Sequence, residues 1–128
     1  MESLIIQADE NTPSINFNPK TGRLVMEGLA VPENVHELFN PIKDWIEHYS
    51  ESPRPATELV FFFEYLNTAA SKMVFEIGNI VSNLHGRDDC DVKIIWQYTR
   101  GDIEMLELGE EMLEEYLCLT KIQAMDEV

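Results

Sequence analysis

Short apolar segments separated by turn residues occupy the first thirty positions of the chain. Leu4–Ile6 is a brief apolar run, and Ile15 and Phe17 then alternate with polar residues, as in a half-buried strand. Residues 18–22 have the composition of a turn and lead into residues 23–28, where apolar side chains again share one face. The pattern predicts a meander or hairpin of short strands.

An amphipathic helix is predicted to follow these strands. Asn34 is a favourable N-cap residue, and Glu37 stands three positions later, as in a capping box. Apolar residues then recur at spacings of three and four, which places them in one stripe: Val35, Leu38, Phe39, Ile42, Trp45, Ile46 and Tyr49. Such a stripe needs a sheet to pack against.

A second strand-and-helix unit is predicted after a proline-containing loop at residues 50–55. Residues 58–63 are apolar without alternation, which is typical of a central strand that is covered on both faces. A helix that begins near residues 67–68 and stops at residues 85–86 places six apolar residues on one side, namely Met73, Val74, Ile77, Ile80, Val81 and Leu84.

The last third of the chain repeats this alternation. Residues 91–96 predict a strand, Asp102 is placed to cap a third helix, and residues 118–124 are expected to form a final edge strand. The inward side of the third helix would carry Met105, Leu108, Met112, Leu113 and Tyr116. The order of elements favours an α/β fold: a single domain over residues 1–128, with a mixed, partly parallel sheet and three main helices packed on it.

Composition and charge narrow the possible functions. The 128 residues are 45% hydrophobic, which supports one packed core and excludes a disordered chain. Twenty-four acidic residues against nine basic ones give a formal charge of −15, so the chain would repel nucleic-acid phosphates and anionic lipid headgroups. We expect neither a nucleic-acid partner nor a membrane role. Because no secretory signal or cysteine framework is visible, a cytoplasmic location is expected.

Residues that could carry catalysis or hold a metal are scattered along the chain. His36, His48 and His85 lack the spacing of metal ligands on a helix, so we expect no metal site. The glutamates of the third helix are typical of a solvated face. No phosphate-binding loop, dinucleotide fingerprint or nucleophile elbow is present, and no cofactor is expected. A small acid–base enzyme that uses glutamate and histidine remains as an alternative.

The junction between the predicted central strand and the second helix has more functional potential. In residues 64–72 a strand ends and a helix starts within a few positions, and Thr68 falls in the first turn of that helix. Unpaired amide groups and the positive end of the helix dipole favour an anion there. Two interpretations stay open: Asn67 or Thr68 only caps the helix, or Thr68 accepts a phosphate that the amides and Lys72 support.

Several segments resemble, in order, the motifs of the SiaC-type bacterial regulatory phosphoproteins. Residues 63–72, Phe-Glu-Tyr-Leu-Asn-Thr-Ala-Ala-Ser-Lys, are similar to the family's Leu-Glu-Tyr-Phe-Asn-Thr-Ser-Ser-Ser-Lys. Further matching segments are residues 22–24 with Gly28, and residues 32–34, 45–47, 96–98 and 102–110. Because the similarity extends over nearly the whole chain, the sequence is identified as a member of this family.

The resemblance implies both a fold and a function. The family is similar to STAS domains, the anti-sigma-factor-antagonist modules whose switch hydroxyl lies where a strand passes into a helix. It implies that a dedicated protein kinase phosphorylates Thr68 and that a PP2C-type phosphatase removes the phosphate. In known members the unphosphorylated form binds and activates a diguanylate cyclase, in control of biofilm or aggregation behaviour. We accordingly expect a non-enzymatic switch protein.

Two segments depart from the family pattern. The two serines that follow the family's threonine are Ala69 and Ala70 here, which leaves Thr68 as the principal acceptor and Ser71 as the second candidate. The family's acidic Asp-Asp-Glu-Asp-Met stretch is Gly-Asp-Ile-Glu-Met at residues 101–105. A partner that contacts this stretch would differ accordingly.

In this hypothesis the residues around Thr68 have two roles. Those expected to support the phosphate are Asn67, Ala69, Ala70 and Lys72, and those expected to contact the partner are Glu64, Tyr65 and Leu66. The alternative of a different class is a constitutive acidic adaptor or inhibitor that places its third helix in a basic cleft of another protein.

Overall fold

In the computed structural model, which describes residues 1–127, a run of strands precedes alternating helices and strands. In chain order the elements are β1 (Leu4–Ile6), β2 (Ser14–Asn18), β3 (Arg23–Ala30), α1 (Val35–Tyr49), β4 (Ala56–Leu66), α2 (Thr68–Ser82), β5 (Asp91–Thr99), α3 (Ile103–Glu114) and β6 (Leu119–Met125). A short 3-10 helix, Arg87–Asp89, lies between α2 and β5. None of the helices in residues 1–127 has the length and apolar character needed to cross a membrane.

The six strands form one sheet, in which they lie in the order of the sequence. β1, β2 and β3 pair antiparallel, which confirms the predicted meander. β3, β4, β5 and β6 pair parallel, and β6 is the edge strand that the sequence predicts. The expectation of a mixed sheet with three main helices is therefore confirmed.

All three helices pack on the same face of the sheet. Parallel strands that follow one another in one direction, joined by right-handed crossovers, place every connecting helix on one side. Trp45 of α1 packs against Phe17 of β2, with ring centroids 5.3 Å apart. Trp96 of β5 donates from Nε1 to the Met105 carbonyl of α3 (2.9 Å). The strand register places Phe17 and Trp96 on the same face, so both helices lie on that side.

The expectation that the strand at residues 58–63 is covered on both faces is wrong. Within residues 1–127 no helix packs on the opposite face, the open face, where Val60 and Phe62 of β4 lie. Val60 is only 2% exposed because Val25 and Ile95 flank it on the neighbouring strands. The run lacks alternation because the middle of the open face is itself apolar, not because a second layer of helices covers it.

Side-chain caps begin the helices where the sequence predicts them. Asn34 Oδ1 accepts a hydrogen bond from the Glu37 N–H (3.2 Å), and Asp102 Oδ1 accepts one from the amide three positions later (3.2 Å). The second helix ends at Ser82, shortly before the stop predicted at residues 85–86. The predicted helix starts are thus more accurate than this predicted helix end.

α3 approaches the sheet so closely that one of its residues has no room for a side chain. Gly109 faces the Trp96 indole, and a Cβ at position 109 would lie well inside van der Waals contact with that ring. The ring is fully buried and bonded to the Met105 carbonyl. Phe61 and Phe63 pack against it, with centroids 5.8 Å and 6.0 Å away. The indole therefore has little freedom to move aside.

Gly109→Ala should lower the free energy of unfolding by about 1–2 kcal/mol, because overpacking costs up to about 3 kcal/mol and alanine regains only about 1 kcal/mol of helix propensity. Urea denaturation of both proteins measures the difference. Glu110→Ala, on the exposed side of the same helical turn, is the matched control and should change stability by less than about 0.5 kcal/mol. A Gly109→Ala protein as stable as the unchanged chain would contradict the close packing of α3.

Candidate functional site

β4 carries an irregularity just before it passes into α2. Gly28 of β3 pairs with Phe63, but the next residue, Leu29, pairs with Tyr65, so Glu64 has no partner in the register. This β-bulge turns the end of β4 locally. Glu64 and Tyr65 are both exposed, Tyr65 by 52%. The bulge therefore presents two of the predicted partner-contacting residues to solvent.

Asn67 fixes the turn from β4 into α2. Its backbone N–H donates to the Ala30 carbonyl at the end of β3 (3.1 Å), and its side-chain Oδ1 accepts from the Ala70 N–H (2.8 Å). Its backbone is extended (φ −76°, ψ 171°), as an N-cap residue requires. The capping role, which the sequence left open between Asn67 and Thr68, belongs to Asn67.

Thr68 is the first residue of α2, and it is exposed. Within residues 1–127, the structure provides no acceptor for the N–H of Thr68 or of Ala69. The first turn of α2 contains no acidic residue, so no carboxylate within that turn compensates the positive end of the helix dipole. The position combines an accessible hydroxyl, two free amides and a local field that favours an anion.

The next turn of α2 brings Ser71 and Lys72 near this hydroxyl. Ser71 is half-buried, and its Oγ donates to the Asn67 carbonyl (3.1 Å). Lys72 is exposed and stands four positions after Thr68, which places both side chains on the same side of the helix. A phosphate on Thr68 would lie beside the Lys72 ammonium, whereas the Ser71 hydroxyl is already engaged.

Two of the predicted site residues have other roles. Leu66 is 5% exposed and belongs to the core, so its assignment to the partner surface is wrong. The bulge shifts the register of β4 so that Leu66 pairs with the buried Ala30 and points to the helical side of the sheet. Ala70 is fully buried, and its amide is bonded to Asn67, so the expectation that it supports a phosphate is also wrong. Of the predicted supporting residues, Ala69 and Lys72 remain available.

Among residues 1–127, the other ionisable residues do not converge on a second site. His36 and His48 are exposed, and His85 Nδ1 accepts a hydrogen bond from the Val92 N–H (3.0 Å). The α3 glutamates are exposed, which agrees with the predicted solvated face: Glu107, Glu110, Glu111, Glu114 and Glu115. In the part of the chain that the structure describes, no group of three His, Cys, Asp or Glu side chains is arranged to hold a metal ion.

Burial is the main cause of a raised pKa at two groups near α2, Tyr116 and Cys118. Burial raises the pKa of the Cys118 thiol, and Cys90 and Cys118 are both free. Burial also raises the pKa of Tyr116, whose hydroxyl donates to the Phe75 carbonyl (3.2 Å). At both residues burial disfavours the charged form.

Sequence reasoning missed the link between β3 and the start of α2. The Ala30 carbonyl anchors Asn67, and Gly28, with a φ of 119°, lies next to the bulge. A glycine inside a predicted strand is a signal that could have indicated an irregularity nearby. The Ala30 carbonyl leaves no signal in the sequence, because a residue of any type at position 30 would have a backbone carbonyl.

Comparison with known proteins identifies the class of this protein as a regulatory phosphoprotein. The model of the SiaC family regulatory phosphoproteins matches residues 6–125. The chain belongs to this family, as its motifs indicate. An uncharacterized protein of Pseudomonas aeruginosa strain UCBPP-PA14 is 35% identical over 129 residues, which cover 99% of this chain and 100% of the relative.

Two solved structures of SiaC from Pseudomonas aeruginosa are similar to the whole fold. The crystal structure of apo-SiaC is 33% identical, with a TM-score of 0.88 and coverage of 97% of this chain and 100% of that chain. SiaC is also the activator in the crystal structure of the diguanylate cyclase SiaD in complex with SiaC. That match has 33% identity, a TM-score of 0.87 and coverage of 95% of this chain and 99% of that chain.

Asn67→Ala should lower the free energy of unfolding by about 1 kcal/mol, the usual contribution of an N-cap side chain. Hydrogen exchange should also accelerate at the Ala70 amide, which loses its acceptor. Asn67→Asp keeps an acceptor oxygen at the cap and should retain both stability and protection of that amide. Unchanged exchange at Ala70 in Asn67→Ala would show that another group holds the start of α2.

Proposed function

We propose that this chain is a phospho-switch protein in which reversible phosphorylation of Thr68 controls binding to a diguanylate cyclase. A protein kinase adds the phosphate and a PP2C-type phosphatase removes it. One observation carries the proposal: an exposed threonine hydroxyl beside two free amides at the start of α2, in a chain of a regulatory phosphoprotein family.

The free protein has the groups needed to accommodate a phosphate at Thr68. The unbonded amides of Thr68 and Ala69 and the Lys72 ammonium can form charge-assisted hydrogen bonds to its oxygens. At a helix N-terminus the added charge of about −1.5 to −2 is stabilising. Phosphorylation therefore leaves the fold intact and changes the surface around α2.

The same phosphate would weaken binding to a partner that covers this surface. Tyr65, at the bulge, and Thr68 are both exposed, and exposed aromatic side chains often anchor protein interfaces. If the partner desolvates the phosphate, or places an acidic group next to it, the free energy of binding becomes less favourable. A penalty of about 3 kcal/mol corresponds to a roughly hundredfold loss of affinity, which is enough to end a micromolar contact.

The diguanylate cyclase is the partner class that the solved relatives support. In one of those structures SiaC is bound to the cyclase SiaD as its activator. In our proposal the unphosphorylated form of this chain binds its cyclase in the cytoplasm and has no catalytic activity of its own. The solvated, dispersed carboxylates of α3 are consistent with a binding role.

Chain purified from its native cells should carry phosphate on the peptide that contains Thr68, as mapped by mass spectrometry. A PP2C-type phosphatase should remove it, and Thr68→Ala should abolish it. Ser71→Ala is the matched control and should stay phosphorylated, because the Ser71 hydroxyl is tied to the Asn67 carbonyl. Phosphate that persists in Thr68→Ala would exclude Thr68 as the sole acceptor.

Binding to a diguanylate cyclase of the same organism tests the second half of the proposal. Thr68→Glu should weaken the affinity at least about tenfold by calorimetry, whereas the neutral Thr68→Gln should weaken it less than about threefold. The exposed α3 glutamates favour a second candidate, the constitutive acidic adaptor. Binding that survives Thr68→Glu but falls steeply with salt would support the adaptor and overturn the switch.

A further inference from the structure

α2 and α3 enclose a groove that begins one turn after Thr68. The groove has a volume of about 580 Å³ and an apolar floor formed by Phe75, Leu108 and Met112. Tyr116 stacks on Phe75 with ring centroids 5.4 Å apart, and its hydroxyl donates to the Phe75 carbonyl. These contacts restrain Phe75, one of the three residues of the floor.

The charges along this groove have opposite signs at its two ends. Lys72 lies near the start of α2, close to the free amides, whereas Glu76, Glu111 and Glu115 line the groove further along. In residues 1–127 no carboxylate lies within ion-pair distance of Lys72. The free amide of Thr68 lies eight helical residues before Glu76, about 12 Å along the axis, and Lys72 lies midway between them. The groove is therefore positive at one end and negative at the other.

We propose that this groove binds an amphipathic helix of the partner protein. That helix carries a carboxylate at one end of its contact face, lysine or arginine about eight residues away, and apolar residues between them. An apolar groove between two helices that run in the same direction suits a third helix, which packs its ridges into it. The inference rests on the proposed function and names the surface on which the Thr68 phosphate acts.

The bipolar groove explains how a phosphate at its edge would release such a helix. Thr68, Lys72 and Phe75 stand at positions i, i+4 and i+7 and form one stripe of α2. A phosphate would occupy the Lys72 ammonium and the free amides, which the carboxylate of the partner helix otherwise uses, and would repel that carboxylate. A wholly basic helix would bind more tightly after phosphorylation, so the sign of the effect reveals the charge order of the occupant.

Two stapled helical peptides with leucine and alanine contact faces serve as probes. The bipolar peptide has glutamate at one end and two lysines about eight residues away, and the basic peptide has lysine in place of that glutamate. Fluorescence anisotropy measures their affinity for the full chain, and NMR of the labelled chain maps the contact. We expect bipolar-peptide binding with shifts at Phe75, Leu108 and Met112.

Charge variants of the chain test the charge order. Lys72→Glu should lower the affinity for the bipolar peptide at least about fivefold and raise the affinity for the basic peptide. Glu111→Lys should lower the affinity for both peptides. Lys20→Glu and Glu47→Lys introduce the same charge changes at exposed positions outside the groove lining. These two controls should change either affinity less than about twofold.

Three results would overturn the proposal: effects of Lys72→Glu that have the same sign for both peptides, shifts on the open face at Val25 and Phe62, or no saturable binding at millimolar peptide. All of these measurements use unphosphorylated protein. A negative result would therefore contradict helix binding in the groove without contradicting phosphorylation of Thr68, and the peptides can bind even if Thr68 is never modified.

Discussion

Two of the hydrogen bonds of Asn67, one from its backbone N–H and one to its side chain, are the constraint on which the functional end of the molecule depends. Its N–H donates to the Ala30 carbonyl at the end of β3, and its side chain accepts from the Ala70 N–H. One residue at the end of β4 is therefore bonded to both β3 and α2. Because this cap uses the third amide of the helix, the first two, of Thr68 and Ala69, stay free beside an accessible hydroxyl. The same cap thus orders the helix and leaves a place for an anion.

The open face of the sheet carries both signs of charge, because Glu27 and Glu58 lie there among basic residues and Arg23 pairs with Glu58. Three of the nine basic residues belong to alternating positions on the open face, namely Arg23, Lys93 and Lys121. The helical side carries the exposed glutamates of α3, and the groove beside Thr68 runs along it. A cationic segment of a partner would be attracted to these glutamates on the helical side.

The site could be predicted from the sequence as far as local rules apply. The strand-to-helix junction, the caps at Asn34 and Asp102 and the position of Thr68 in the first turn follow from short-range patterns, and the structure has them. The roles of Leu66 and Ala70 were wrong, because a bulge opposite β3 and the choice of capping acceptor decide them. The bulge depends on pairing with β3, which is distant in sequence, whereas the capping acceptor had been left open between Asn67 and Thr68.

The sequence by itself determined the elements, their order and the residue types at the junction, because hydrophobic periodicity and capping act over a few neighbouring residues. Only the tertiary structure decided that β4 is covered on one face, since that depends on the direction and handedness of three consecutive crossovers. It also decided how the start of α2 is anchored to β3 and which charges face one another across the groove. Those properties arise between groups such as the Ala30 carbonyl and Asn67, which are far apart along the chain and meet only when the sheet is assembled.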